Sequence, residues 1–353
     1  MVTQTTKGVL SLISGFCMHL VLGSMYTWGS LLPYISSKLH HLNPSVTIED
    51  TLFFIPINIF ATNITMTLGG WLDKRLNQKV LLLIGTILIG GGNVICSIAD
   101  SIGLYILGDL VIGFGSGIVY MTPIKNGWLY FPDNRGLVSG IIVCGFGLSS
   151  FIFAFIAKAI VNPLNQGKEP DGYYGPDVFN NVTKLFIWLG SIYSLLGITS
   201  AILFIPFKKE ETISDLKQEY IAEEYITQEE RKKEESQEKL GKALCSTQFL
   251  MIFLMPFLTS TYGFFTVNAL KLFGSEFTIN DNTLTLASSL SGLANGICRP
   301  WWGWVLDKLK FKKTYYMLCI YQLLLASTIY FTPMASEYLY VTWCFLRDRK
   351  SVV

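Results

Sequence analysis

Charge is scarce in this 353-residue chain. Only 15% of its residues are Asp, Glu, Lys or Arg, against roughly 25% in an average soluble protein. Much of that charge is concentrated between Lys208 and Lys242, which hold eight Lys/Arg and eleven Asp/Glu of the 27 and 25 in the whole chain. The other 318 residues carry 33 charges, about one in ten. This distribution excludes an ordinary cytosolic enzyme, a basic nucleic-acid binder and a disordered protein. Histidine is rarer still: His19 stands alone and His40 and His41 are adjacent, an arrangement that builds no zinc site. The cysteines at 17, 96, 144, 245, 298, 319 and 344 show no C-x-x-C spacing, so neither a disulfide framework nor a metal site is expected. No His/Asp/Glu cluster or Ser–His pair lies in the apolar segments, which argues against an enzyme and leaves no cofactor to expect.

What the chain has instead is long apolar runs. A helix needs roughly 20 mostly apolar residues to cross the hydrocarbon layer. Nine segments qualify: 9–35, 51–72, 80–99, 102–131, 136–161, 184–207, 247–273, 284–306 and 314–334. None alternates as a barrel strand would, so helices are the only viable spanning structure. An all-α polytopic membrane protein follows, with the lipid bilayer as its surrounding partner. Short-loop Lys/Arg counts orient it. Lys74, Arg75 and Lys79 follow the second span, and Lys308, Lys310, Lys312 and Lys313 follow the eighth, while the turns after spans three and seven carry none. The N-terminus is therefore expected inside. The loop 162–183 then lies outside, where Asn181-Val182-Thr183 forms a glycosylation acceptor pattern. The stretch 208–246 lies inside as a solvated, partly helical linker.

A short pattern occurs twice. Gly69-Gly70-Trp71-Leu72-Asp73-Lys74-Arg75 and Gly303-Trp304-Val305-Leu306-Asp307-Lys308-Leu309 share Gly, Leu, Asp and Lys, each copy at the end of a span and six spans apart. The implied plan is two similar helical bundles, 1–207 and 247–353, joined by the linker. The repeated Gly-x-x-x-Asp-Lys/Arg turn resembles the signature loop of the major facilitator superfamily. That resemblance implies a two-bundle fold of twelve spans. In the family the Gly permits close helix packing, and the Asp caps or pairs across helices to hold the inner face closed. Gly69, Asp73, Lys74, Arg75, Gly303, Asp307 and Lys308 are the matching positions.

A narrower resemblance rests on spans four and five. Gly113-Phe114-Gly115-Ser116-Gly117 leads through Tyr120 to Tyr130-Phe131-Pro132-Asp133-Asn134-Arg135-Gly136, then Gly140 and Gly145-Phe146-Gly147. With Tyr26-Thr27-Trp28 and Arg299-Pro300, this resembles the oxalate/formate antiporter family and, more loosely, the monocarboxylate transporters. Gly113 and Gly117 also fit small-xxx-small helix packing without any family argument.

An ionisable side chain in mid-span is costly and marks a functional candidate. Arg299 lies four residues beyond Asn295, the middle of the eighth span, about 6 Å at the helical rise. A guanidinium there can grip a carboxylate through two parallel hydrogen bonds, or it can pair structurally with Asp109 or a backbone carbonyl. Asp109 itself is open to a salt bridge, a proton-carrying role or a hydrogen-bonded acid. Lys125 can snorkel to the interface. The antiporter resemblance implies that Arg299 binds the anionic substrate, with Tyr26, Tyr120 and Trp28 as aromatic candidates beside it. Tyr26 and Tyr120 are equally open to plain packing. Asn295 stands where proton-coupled monocarboxylate transporters carry an acid, which favours exchange or uniport over proton symport.

After the ninth span only 338–346 is apolar before Arg347-Asp348-Arg349-Lys350. That is a partial tenth span of the twelve the family pattern needs. The leading expectation is a monomeric secondary transporter of small organic anions, working by alternating access. The rivals are a non-transporting membrane sensor or partner-binding protein, or a truncated, inactive carrier.

Overall fold

A computed structural model describes residues 3–208, 245–255, 258, 277 and 281–347 of the chain. The chain divides into two units: Met1–Phe207 together with Gly274–Val353, and Lys208–Phe273. The bundle boundary expected at 246 does not coincide with either limit. In the second unit residues 247–255 are helical. Most of the seventh expected span and of the charged linker lies outside the described residues.

The first unit is helical throughout its long segments. It runs α1 Gln4–Leu22, a 3-10 turn Gly23–Thr27, α2 Trp28–Leu42, α3 Ile48–Thr51, α4 Phe54–Leu72, α5 Gln78–Ser97, α6 Ile102–Tyr130, a 3-10 turn Pro132–Asn134, and α7 Arg135–Val161. It continues with α8 Pro176–Phe179, α9 Val182–Leu203, α10 Asp281–Thr328, α11 Phe331–Ala335 and α12 Glu337–Arg347. Among the described residues, six helical segments are long and apolar enough to cross a membrane: Gln4–Leu42, Ile48–Leu72, Gln78–Ser97, Ile102–Tyr130, Pro132–Val161 and Pro176–Leu203. They correspond to the first six expected spans, with ends displaced by a few residues. The expected eighth and ninth spans fall on α10, which is not among the six. Its backbone leaves helical geometry at Lys310 (φ 63°, ψ 162°), in the turn that separates those two spans in the sequence. The expected partial tenth is α12, 11 residues long and about 16 Å at the helical rise.

Local sequence sets where these helices start. The Thr3 hydroxyl accepts from the Thr6 amide, the Asn77 side chain accepts from the Lys79 amide, and Thr47 with Asp50 forms a capping box before α3. Packing reverses the soluble pattern. On α4 the buried residues include Asn58, Ala61, Thr62, Thr65 and Gly69, while Phe60, Ile64, Leu68 and Trp71 face outward. On α5 the outward residues include Val80, Leu83, Ile87 and Val94, and Ile87 is 71% exposed. Small and polar residues inside with large apolar ones outside is the arrangement that lipid favours. The first span is not one helix. The 3-10 turn at Gly23–Thr27 divides it, and Gly23 lies against the Phe146 backbone and Ser149 of α7.

Candidate functional site

The site forms where α7 crosses α10. The two helices touch along small residues: Gly136 faces Gly303, Gly140 faces the backbone of Arg299 and Pro300, and Gly147 faces Gly296 and Asn295. A Cβ on Gly147 would lie 2.6 Å from Gly296 Cα and 2.8 Å from Asn295 Oδ1, closer than real side chains approach. This crossing sets the Arg299 side chain against α7. Arg299 is 7% exposed. Its Nε donates to Asn295 Oδ1 at 3.0 Å, one helical turn back, and its guanidinium carbon lies 5.9 Å from the Phe146 ring centre.

Phe146 is the hub that sequence reasoning did not single out. Tyr26 meets it edge-on at 5.2 Å and Tyr120 at 6.0 Å, and Tyr120 in turn meets the His19 ring at 5.0 Å. Three sequence candidates, Arg299, Tyr26 and Tyr120, thus gather around one phenyl ring, and a fourth, Asn295, is bonded to Arg299. The signal available for it was the Gly145-Phe146-Gly147 triplet, which places a large ring between two thin helix positions. Trp28 goes elsewhere: it is 3% exposed and packs with Phe54 and Phe186 at 5.6 and 5.8 Å. The 3-10 turn ends just before it, at Thr27.

The ion-pair alternative for Arg299 does not form. The Asp109 carboxylate accepts from Asn58 Nδ2 at 2.7 Å, between α4 and α6. Among the described residues the ion pair present is Lys125 with Asp73, at 3.9 Å. Lys125 therefore reaches the signature loop rather than a free interface. Arg299 is left as a buried cation whose forked end has no carboxylate within 4 Å among the described residues. A planar set of N–H donors in that state suits an oxygen anion from outside the chain.

The two signature loops differ in what they hold. Asp307 accepts from the amides of Gly136 and Leu137 at 2.8 Å each, capping the start of α7. Asp73 accepts from Gln78 Nε2 at 3.1 Å and faces Lys125. Gly69 is pressed on the Ile118 carbonyl, as Gly303 is on that of Gly136. Lys74, Arg75 and Lys308 are exposed, with Arg75 stacked 4.0 Å over Trp71. At the acceptor pattern, Asn181 Nδ2 donates to the Asp177 and Val161 carbonyls at 2.9 and 3.2 Å. A sugar on that nitrogen would have to displace at least one of the two bonds.

Paired small-residue crossings, outward apolar faces and an enclosed guanidinium define a multi-pass integral membrane protein with a polar site between helices. The chain belongs to the Major Facilitator Superfamily, whose family model matches residues 12–347. It is 24% identical over 377 residues to apicoplast pyruvate carrier 1 of Toxoplasma gondii, covering 86% of this chain and 68% of that one. It is 25% identical over 298 residues to the oxalate:formate antiporter of Oxalobacter formigenes, covering 84% and 62%. The chain thus spans about two thirds of the length of these curated relatives. A solved proton:xylose symporter of the superfamily, bound to 6-bromo-6-deoxy-D-glucose, shares the fold with a TM-score of 0.66 at 12% identity, over 98% of this chain and 80% of that one. The superfamily consists of transporters, not enzymes.

Proposed function

We propose that this chain is a secondary transporter of small organic anions, mono- or dicarboxylates, that works by alternating access. The observation that carries the reading is Arg299. It is a buried guanidinium without a carboxylate partner among the described residues, beside Phe146, whose ring Tyr26 and Tyr120 meet edge-on. The pyruvate carrier and the oxalate:formate antiporter among its relatives support a carboxylate cargo. Asn295 holds Arg299 by an amide, which does not titrate at physiological pH, and this supports exchange or uniport. The Asp307 cap on α7 supports a latch that holds one face of the carrier shut and opens during the cycle. In this reading the N-terminus is cytoplasmic, 208–246 links the bundles 1–207 and 247–353, the spans number nine and part of a tenth, and the protein works as a monomer.

The test is labelled uptake into proteoliposomes preloaded with unlabelled oxalate or pyruvate. Uptake that needs the preloaded anion indicates exchange, and uptake without it indicates uniport. Arg299→Gln should raise the half-saturating anion concentration about 10- to 150-fold, the loss of a buried charged hydrogen bond. Equal uptake by the variant and the wild type, at equal protein in the membrane, would overturn the anion-grip reading.

A further inference from the structure

The two copies of the signature turn differ at two places that the turn itself does not need. Where the first has Trp71 and Arg75, the second has Val305 and Leu309, yet the glycine of each copy is pressed on a backbone carbonyl alike. Trp71 and Arg75 act on each other instead. The Arg75 amide donates to the Leu72 carbonyl at 2.9 Å, which carries the chain round once more past the end of α4. The guanidinium carbon then lies 4.0 Å from the centre of the Trp71 ring. Trp71 is 49% exposed, and Lys74 and Arg75 are exposed beside it. Neither basic side chain has an ion pair or a hydrogen bond among the described residues. Asp73, the one acid between Asp50 and Asp100, is bonded to Gln78 and faces Lys125.

Along α4 this pair is approached by an apolar stripe. Phe60, Ile64, Leu68 and Trp71 recur at helical spacing, all exposed. From Phe60 to Trp71 is about 16 Å at the helical rise, close to one leaflet, half of the roughly 30 Å hydrocarbon layer. A tryptophan at the end of such a stripe marks the level where acyl chains give way to headgroups. A guanidinium stacked on it keeps its N–H fork in its own plane, a shape that meets two oxygens of a phosphate. Lys74 adds a second positive charge. An occupant that suits both parts has an acyl chain for the stripe, a phosphate for the fork and no cation of its own. We propose that Trp71, Lys74 and Arg75 form a binding site for an anionic glycerophospholipid, its phosphate on Arg75 and its chain along the outward stripe of α4. This site is separate from Arg299 and stands whatever the cargo is.

The experiment is native mass spectrometry of the purified full chain, titrated with phosphatidylglycerol or with phosphatidylcholine of the same acyl chains. The wild type should bind phosphatidylglycerol at least about fivefold more tightly, the share of one basic residue near a headgroup. Arg75→Gln should lose about fivefold in phosphatidylglycerol affinity, and Arg75→Lys, which keeps the charge without the fork, should fall between. Trp71→Leu keeps every charge and an apolar side chain but removes the stack, and should lose about two- to fivefold. Lys308→Gln, in the copy without the stack, should leave the affinity unchanged. The substituted side chains are exposed, so all variants should melt at the temperature of the wild type. Equal binding of the two lipids by the wild type overturns the site. Full affinity in Trp71→Leu, or a loss in Lys308→Gln as large as that in Arg75→Gln, also overturns it, because the pair is then one part of a general positive surface. Competition by free glycerol 3-phosphate as effective as that by the lipid would place the occupant outside the membrane and overturn the lipid assignment.

Discussion

The two copies of the signature loop start from nearly the same residues and end in different work. Asp307 reaches across to another helix and takes two of the free amides at the start of α7. Asp73 stays near its own turn, bonded to Gln78 and facing Lys125 at 3.9 Å. A carboxylate on a helix N-terminus meets two fixed donors and the positive end of the helix dipole. A partly exposed lysine at 3.9 Å offers a weak, screened attraction. The motif sets the turn and the close approach of its glycine, but its neighbour decides how much the aspartate holds. The neighbour of Asp307 is the Phe131-Pro132-Asp133-Asn134-Arg135-Gly136 turn, so the two most specific patterns in the sequence are in contact.

The largest contrast this comparison predicts is all-or-none. If the two loops are repeats at one membrane face, single cysteines replacing Lys74 and Lys308 should react with an impermeant thiol reagent from the same side. A cysteine at Asn165, in the loop between α7 and α8, should react only from the other. Labelling of Lys74→Cys and Lys308→Cys from opposite sides would end the repeat reading.

Next in size is the aspartate pair. Asp307→Asn removes the charge and one of two acceptors at the start of α7, which should cost about 1.5–3 kcal/mol. Asp73→Asn should cost less than about 1 kcal/mol. Thermal unfolding in detergent reads the order, and equal losses would erase the distinction between the loops. The last contrast concerns the glycines. Gly69→Ala and Gly303→Ala each press a methyl onto a backbone carbonyl and should cost about 1–3 kcal/mol. Gly70→Ala meets only the end of the Lys125 side chain at 3.6 Å and should be nearly neutral. A costly Gly70→Ala would show that the fixed glycine position is not special.

The fold was legible where physics acts along the chain. Runs of apolar residues located the first six spans to within a few residues, because burial in lipid needs length and little else. The paired glycines pointed to close packing, and a Cβ at Gly69 or Gly303 indeed has no room. The interruption of the first span was missed, although Gly23-Ser24 and Gly29 marked weak helix there. The site was legible in part. Arg299 stood out because a charge in an apolar run is expensive, and the family resemblance brought in Tyr26 and Tyr120. The role of Phe146 as the ring between them was passed over, since which face of an apolar helix meets a distant helix is written in no local period. The ion pair of Lys125 with Asp73 was hidden for the same reason: it joins residues 52 positions apart.

The central claim is that Arg299 grips a carboxylate by its planar fork. Direct calorimetric titration of oxalate and pyruvate into the purified chain, its Arg299→Lys variant and its Arg299→Gln variant tests it most simply. The account predicts binding by the wild type, weaker binding when lysine keeps the charge without the fork, and binding weakened by about 10- to 150-fold with glutamine, all three proteins having similar melting temperatures. Binding of equal strength in the wild type and the glutamine variant would contradict it.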